Sequence, residues 1–115
     1  WVRVLLAALE TYFPGRRLPM LVGILRDKEY RTMVRLLARK AARFFFVRPD
    51  TPRALSAEEL AEVAREEAPG VPAIAAASLG EGLAALSACA DGKSAGVICG
   101  SLYLAGDVLR RERRG

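Results

Sequence analysis

The sequence contains no histidine and only two cysteines, Cys89 and Cys99. The absence of histidine removes the most common general base and the most common metal ligand. The two cysteines form neither a disulfide framework nor a metal-binding spacing, so we expect free thiols in a reducing compartment and a cytoplasmic protein. Any chemistry must use Asp, Glu, Lys, Ser or Tyr, or residues outside this chain, and we expect no metal site within it.

Long hydrophobic runs are also missing. No apolar run approaches the ~20 residues that span a bilayer, and no secretory signal pattern is present, so we expect no membrane partner. The length of 115 residues suits one domain, which we expect to comprise residues 1–115. Hydrophobic residues make up 52% of the chain, enough for a buried core. The first residue is Trp1 rather than Met, so we expect a piece of a longer polypeptide or a processed product.

Acidic residues are fewer than basic residues, 13 against 18, so the net charge is +5. Four arginines crowd the C-terminus: Arg110, Arg111, Arg113 and Arg114. Such a run is typical either of a nucleic-acid-binding arm or of cations stabilised by the macrodipole at the end of a helix. No aromatic or glycine residues interleave with it, which favours the helix end, and we expect no nucleic-acid partner. The excess of positive charge still favours anionic ligands.

Helical and extended patterns alternate along the chain. Apolar stripes with helical spacing and two capping boxes, Ser56 with Glu59 and Ser78 with Glu81, predict helices, and short apolar runs predict strands. The predicted helices cover residues 2–12, 28–41, 57–67, 79–90 and 102–111, and the predicted strands cover residues 18–25, 43–47, 71–75 and 95–99. This alternation predicts an α/β fold, a small Rossmann-like, doubly wound domain with a mostly parallel sheet and helices on both faces.

Three predicted strand-to-helix loops carry polar residues. Arg26, Asp27 and Lys28 follow the first strand, residues 50–53 follow the second, and Gly100 with Ser101 follows the last. Because parallel strands end at the same edge of a sheet, we expect the three loops to meet there. Taken alone, each loop is weak evidence for a site: Asp-Lys after a strand is more often an ordinary helix start, and the other two loops are also typical of a turn or a capped helix start. Their coincidence at one edge favours a binding site.

The side chains of these loops complement the charges of an amino acid. Asp50 can accept hydrogen bonds from an ammonium group, and Lys28, Arg53 and Ser101 can donate to carboxylates. The predicted helix start beyond Gly100 offers unpaired amides that favour an anion. We therefore expect Lys28, Asp50, Arg53 and Ser101 to bind the ligand, and Arg26, Asp27 and Gly100 to support the loops.

Three segments at these loops resemble the C-terminal domain of bacterial folylpolyglutamate synthase/dihydrofolate synthase, a member of the Mur ligase superfamily. They are residues 23–30 (GILRDKEY), 48–55 (RPDTPRAL) and 99–106 (CGSLYLAG), and the resemblance extends over essentially the whole chain. It implies the glutamate-binding, closing domain of an ATP-dependent amide ligase that adds L-glutamate to a folate or dihydropteroate through an acyl phosphate. It also implies that ATP and Mg are bound mainly by an N-terminal ATPase domain of the same polypeptide.

The resemblance further implies roles for individual residues. Lys28 and Ser101 match residues near the carboxylate of the amino acid, and Asp50 and Arg53 lie in the counterpart of an Asp-Asn-Pro-Arg motif that recognises the amino acid. Thr51 stands where that motif usually has Asn. No P-loop sequence occurs in the chain, so we expect it to have no catalytic residue and no ligase activity alone. Two alternatives are the C-terminal domain of another Mur-type amino-acid ligase and a non-enzymatic α/β module that binds anions.

Overall fold

A computed structural model describes residues 2–89 in full and residues 97–100 as backbone. Helices and strands alternate along this part of the chain. In chain order they are α1 (Val2–Tyr12), β1 (Leu18–Gly23), α2 (Tyr30–Leu37), β2 (Ala41–Phe46), α3 (Ala57–Glu67), β3 (Ala73–Ala75), α4 (Leu79–Cys89) and β4 (Val97–Gly100). No helix among the described residues is both long enough and apolar enough to cross a membrane.

The four strands form one parallel sheet in the order β3-β2-β1-β4. β1 pairs with β2 on one side and with β4 on the other, where Gly23 lies opposite Gly100. The chain thus moves outward from β1 to β3 and then crosses back to the far side of β1. Such a reversal leaves a crevice between the carboxyl ends of β1 and β4, which is where doubly wound folds bind ligands.

The sheet is covered on both faces. Residues of β1 and β2 alternate in direction, so Met20 and Phe44 pack with α1, α2 and α3, whereas Leu21 and Phe45 pack with Leu86 of α4. All six residues of β1 are buried, as in a strand covered from both sides. These contacts confirm the predicted doubly wound α/β fold.

Two capping boxes fix the starts of α3 and α4. The N–H of Glu59 donates to Ser56 Oγ, and the N–H of Glu81 donates to Ser78 Oγ, both at 3.1 Å. In each case a side chain satisfies a backbone donor that has no partner within the helix. The predicted start of α3 and its end at Glu67 are confirmed.

Two predicted boundaries around the first crossover are wrong. The helix predicted over residues 28–41 is confined to α2, and Ala41 instead begins β2, where it pairs with Leu18 and is fully buried. The strand predicted over residues 18–25 ends at Gly23, and Leu25 forms an isolated antiparallel bridge with Ala54. Pairing with distant residues decided both boundaries. The helix predicted over residues 102–111 lies outside the described residues.

Lys40 is the only charged residue in the buried core of the described part of the chain. Its Nζ donates to Glu10 Oε2 at 2.7 Å and to the carbonyl oxygen of Phe13 at 2.5 Å. The hydrogen bond from Lys40 lowers the pKa of Glu10. The buried ammonium therefore ties the end of α1 to the turn that precedes β2.

Candidate functional site

The loops that follow β1 and β2 are joined by backbone hydrogen bonds. The N–H of Arg26 donates to the carbonyl oxygen of Arg53 at 2.7 Å, and the N–H of Leu55 donates to the carbonyl oxygen of Ile24 at 3.1 Å. The bridge between residues 25 and 54 lies between these two bonds. The backbone thus holds the two loops together at the carboxyl edge of the sheet, independently of their charged side chains.

Two ion pairs cross this junction. Arg53 Nη2 contacts Asp27 Oδ2, and the two side chains remain 59% and 50% exposed. Arg26 Nη2 donates to Glu59 Oε1 in the first turn of α3 at 2.9 Å. This hydrogen bond raises the pKa of Arg26 and lowers the pKa of Glu59. The structure therefore brings together Arg26, Asp27 and Arg53, three of the residues selected from the sequence.

Asp50 and Thr51 line an open depression of about 430 Å³ beyond the end of β2. The N–H of Thr51 donates to the carbonyl oxygen of Pro49 at 2.8 Å, and Thr51 Oγ1 accepts a hydrogen bond from the N–H of Arg53 at 3.4 Å. The threonine that replaces the asparagine of the related motif thus holds the backbone of its own loop. Asp50 lies on the same loop as Arg53, three residues before it.

Lys28 lies in a different depression. This one, of about 370 Å³, is formed between α1 and α2, where Val2, Arg3 and Met33 also line it. Lys28 and Asp50 therefore face different hollows, although both follow strands of the same edge. Gly100 ends β4 opposite Gly23, and Ser101 lies outside the described residues.

Two residues at this edge were missed by the sequence reasoning. Arg48 is exposed and lines the same depression as Asp50. The sequence could have indicated this position, because Arg48 directly follows the buried run 44–47 and therefore begins the loop. Glu59 was recognised only as a capping residue, and its pairing with Arg26 depends on how α3 packs beside the first loop.

The described residues contain no cluster that would hold a metal ion by itself, and three of their helix starts already carry carboxylates. No group of three or more Cys, Asp or Glu side chains among them could hold a metal ion. The N-termini of α2, α3 and α4 carry carboxylates, at Glu29, at Glu58 and Glu59, and at Glu81. A negative side chain at a helix N-terminus uses the favourable end of the dipole and repels a phosphate. We assign no metal or phosphate ligand to this part of the chain.

The fold and this edge define a class of protein: a doubly wound α/β domain that presents charged loops at the carboxyl edge of its parallel sheet. Within that class the chain belongs to the Mur ligase family. The family described as "Mur ligase, glutamate ligase domain" matches residues 2–102. The match includes both joined loops and the end of β4.

Several solved structures have a similar fold. Escherichia coli FolC in complex with DHPP and ADP has a TM-score of 0.83 and 21% identity over 99% of this chain and 27% of that chain. The folylpolyglutamate synthase of Thermotoga maritima has a TM-score of 0.71 and 28% identity over 95% and 24%. A bifunctional folylpolyglutamate synthase/dihydrofolate synthase with Mn, AMPPNP and L-glutamate bound has a TM-score of 0.79 and 21% identity over 97% and 26%.

This chain therefore spans about a quarter of the length of each of these structures. No curated protein sequence gives a significant match to it.

Proposed function

We propose that this chain is the C-terminal, glutamate-binding domain of a cytoplasmic, ATP-dependent ligase that adds L-glutamate to a folate or dihydropteroate. The observation that carries the proposal is the junction at the sheet edge, where backbone bonds hold Arg53 beside Asp27 in a chain of the glutamate ligase domain family. A solved structure of similar fold with L-glutamate bound supports the choice of amino acid.

The reaction divides between this chain and an N-terminal ATPase domain of the same polypeptide. ATP, held with Mg mainly by that domain, supplies the phosphoryl group that activates the acceptor carboxylate. This chain binds and orients glutamate: Arg53, Lys28 and Ser101 pair with its carboxylates, and Asp50 accepts a hydrogen bond from its amino group. Arg26, Asp27 and Gly100 are supporting residues of these loops and do not themselves contact the glutamate.

The substitutions Arg53→Ala and Lys28→Ala in the full-length protein test this assignment. Each removes a charge-assisted hydrogen bond to a carboxylate, so the KM for glutamate should rise by about tenfold or more while the KM for ATP stays unchanged. The measurement is glutamate-dependent ADP release with dihydropteroate and with tetrahydrofolate as acceptors. Glu62→Gln is a matched control, because Glu62 forms an exposed ion pair with Arg65 on its own helix.

The outcomes separate the elements of the proposal. An unchanged glutamate KM in both variants contradicts the site. If only Arg53→Ala has an effect, the glutamate carboxylates bind at the loop after β2. Lys28, which lines the other depression, is then not a glutamate-binding residue. ADP release that depends on a different amino acid identifies another Mur-type ligase.

A further inference from the structure

We infer that Asp27 is a positioning residue, which orients the guanidinium of Arg53 toward the carboxylate of the incoming amino acid. This inference rests on the proposed function for the identity of that amino acid. It assigns to the pair of Asp27 and Arg53 a role in binding rather than in holding the fold together.

The ion pair is not what joins the two loops. The hydrogen bond between the N–H of Arg26 and the carbonyl oxygen of Arg53, and the bond between Leu55 and Ile24, already connect them through the backbone. Both charged side chains are about half exposed, and exposed ion pairs add little to stability. The position of Asp27 opposite Arg53 therefore has little consequence for folding, whereas it fixes the direction of a long cationic side chain.

An arginine on an exposed loop gains from being held. Its side chain has many rotamers, and the entropy lost when it becomes ordered opposes ligand binding. Asp27 contacts Nη2 of Arg53, and the arginine side chain remains 59% exposed. A guanidinium has five N–H donors, so the remaining ones can still bind a ligand carboxylate.

The backbone at Asp27 is held in place by the contacts of its neighbour in sequence. The adjacent Arg26 is attached through its backbone to Arg53 and through its side chain to Glu59 of α3. Asp50 has a different relation to Arg53, since it lies on the same loop and lines the depression beside it. Asp27 thus holds Arg53 from the loop that follows the neighbouring strand.

A double-mutant cycle in the full-length protein tests the inference. Asp27→Asn should raise the KM for the amino acid about tenfold and leave the KM for ATP and the unfolding temperature unchanged. In the Arg53→Ala background, Asp27→Asn should have no further effect, because Asp27 acts through Arg53. Asp27→Glu keeps the carboxylate and should restore part of the affinity. Glu62→Gln makes the same carboxylate-to-amide change at an exposed pair away from the edge.

Three results would overturn the inference. Additive effects of the two substitutions would show that Asp27 acts independently of Arg53. A parallel loss of ATP affinity and thermal stability would show a structural role. A lower KM in Asp27→Asn would show that Asp27 competes with the ligand for Arg53.

The wild-type assay tests the proposed function separately. If the wild-type protein consumes an amino acid other than glutamate, the proposed substrate is wrong, and the same cycle measured with that amino acid still tests Asp27. If it consumes no amino acid, both the proposed function and the inference fail.

Discussion

At the scale of single residues, Gly23 allows the two loops at the carboxyl edge of the sheet to approach each other. A Cβ at this position would lie 2.8 Å from Pro49 Cγ and 3.1 Å from the carbonyl oxygen of Val47. Only a residue without a side chain lets the segment after β2 fold back so closely over the end of β1. Gly23 is followed in sequence by Ile24 and Arg26, whose backbone hydrogen bonds hold the loop of Arg53 beside that of Asp27.

Gly23→Ala should therefore destabilise the protein by about 1–3 kcal/mol, the usual cost of forcing extra volume into a packed site. Urea unfolding would measure the loss as a lower midpoint. Gly70→Ala is the matched control, because a Cβ there meets nothing within 4 Å. Equal midpoints for the two variants would show that the segment carrying Pro49 can move aside without cost.

At the scale of the elements, local signals decided what could be predicted. Both ends of α3 were predicted correctly, because the serine cap and the amphipathic stripe that define them are local features of its sequence. The end of α2 was not, because residues 38–41 are Ala, Arg, Lys and Ala, which all favour helix. Pairing of Ala41 with Leu18, 23 residues away in sequence, overrides that preference, and no local pattern reveals it.

The candidate site likewise has features that could be predicted from local sequence and features that could not. The loops that carry Arg26, Asp27 and Arg53 could be placed at one edge, because parallel strands end together. The choice of partners could not, because Arg53 pairs with Asp27 across 26 residues and Arg26 pairs with Glu59 across 33. The turn toward α1 that places Lys28 in a separate depression likewise depends on packing between helices.

Ion pairs between α2 and α3 make the stability of this helix pair depend on pH. Arg35 donates to Glu67 at 2.6 Å, and this bond, with Arg31 nearby, lowers the pKa of Glu67. An unfolded Glu titrates near ~4.3, so the pair contributes its full stability above that pH. The contribution is lost as the pH falls through the lower folded pKa, because the unfolded chain then binds its proton first.

Glu67→Gln should accordingly lower the unfolding temperature at pH 7, and the difference from the wild type should shrink as the pH falls below about 4. Thermal unfolding monitored by circular dichroism across this range is the measurement. Glu62→Gln should have a smaller effect at pH 7, because Glu62 pairs within α3 and does not join two helices. A difference between Glu67→Gln and wild type that is independent of pH would contradict the role of the charge.

At the scale of the whole molecule, the carboxyl edge of the sheet provides one side of the proposed site. The chain spans about a quarter of the length of the solved structures that share its fold. Its loops carry cations and carboxylates, whereas the N-termini of α2, α3 and α4 carry carboxylates and the sequence contains no P-loop. Under the proposed function, the residues that activate the acceptor would come from outside these 115 residues.

The 115-residue chain alone should consequently show no ligase activity. With ATP, Mg, L-glutamate and tetrahydrofolate, ADP release and folate extension should equal those of a blank without protein, whereas the full-length protein should show both. A cooperative thermal transition of the chain, measured in the same buffer, distinguishes a folded and inactive domain from an unfolded one. ATP- and glutamate-dependent extension of folate by the folded chain would contradict this prediction. It would mean that the chain positions the phosphates of ATP without a P-loop.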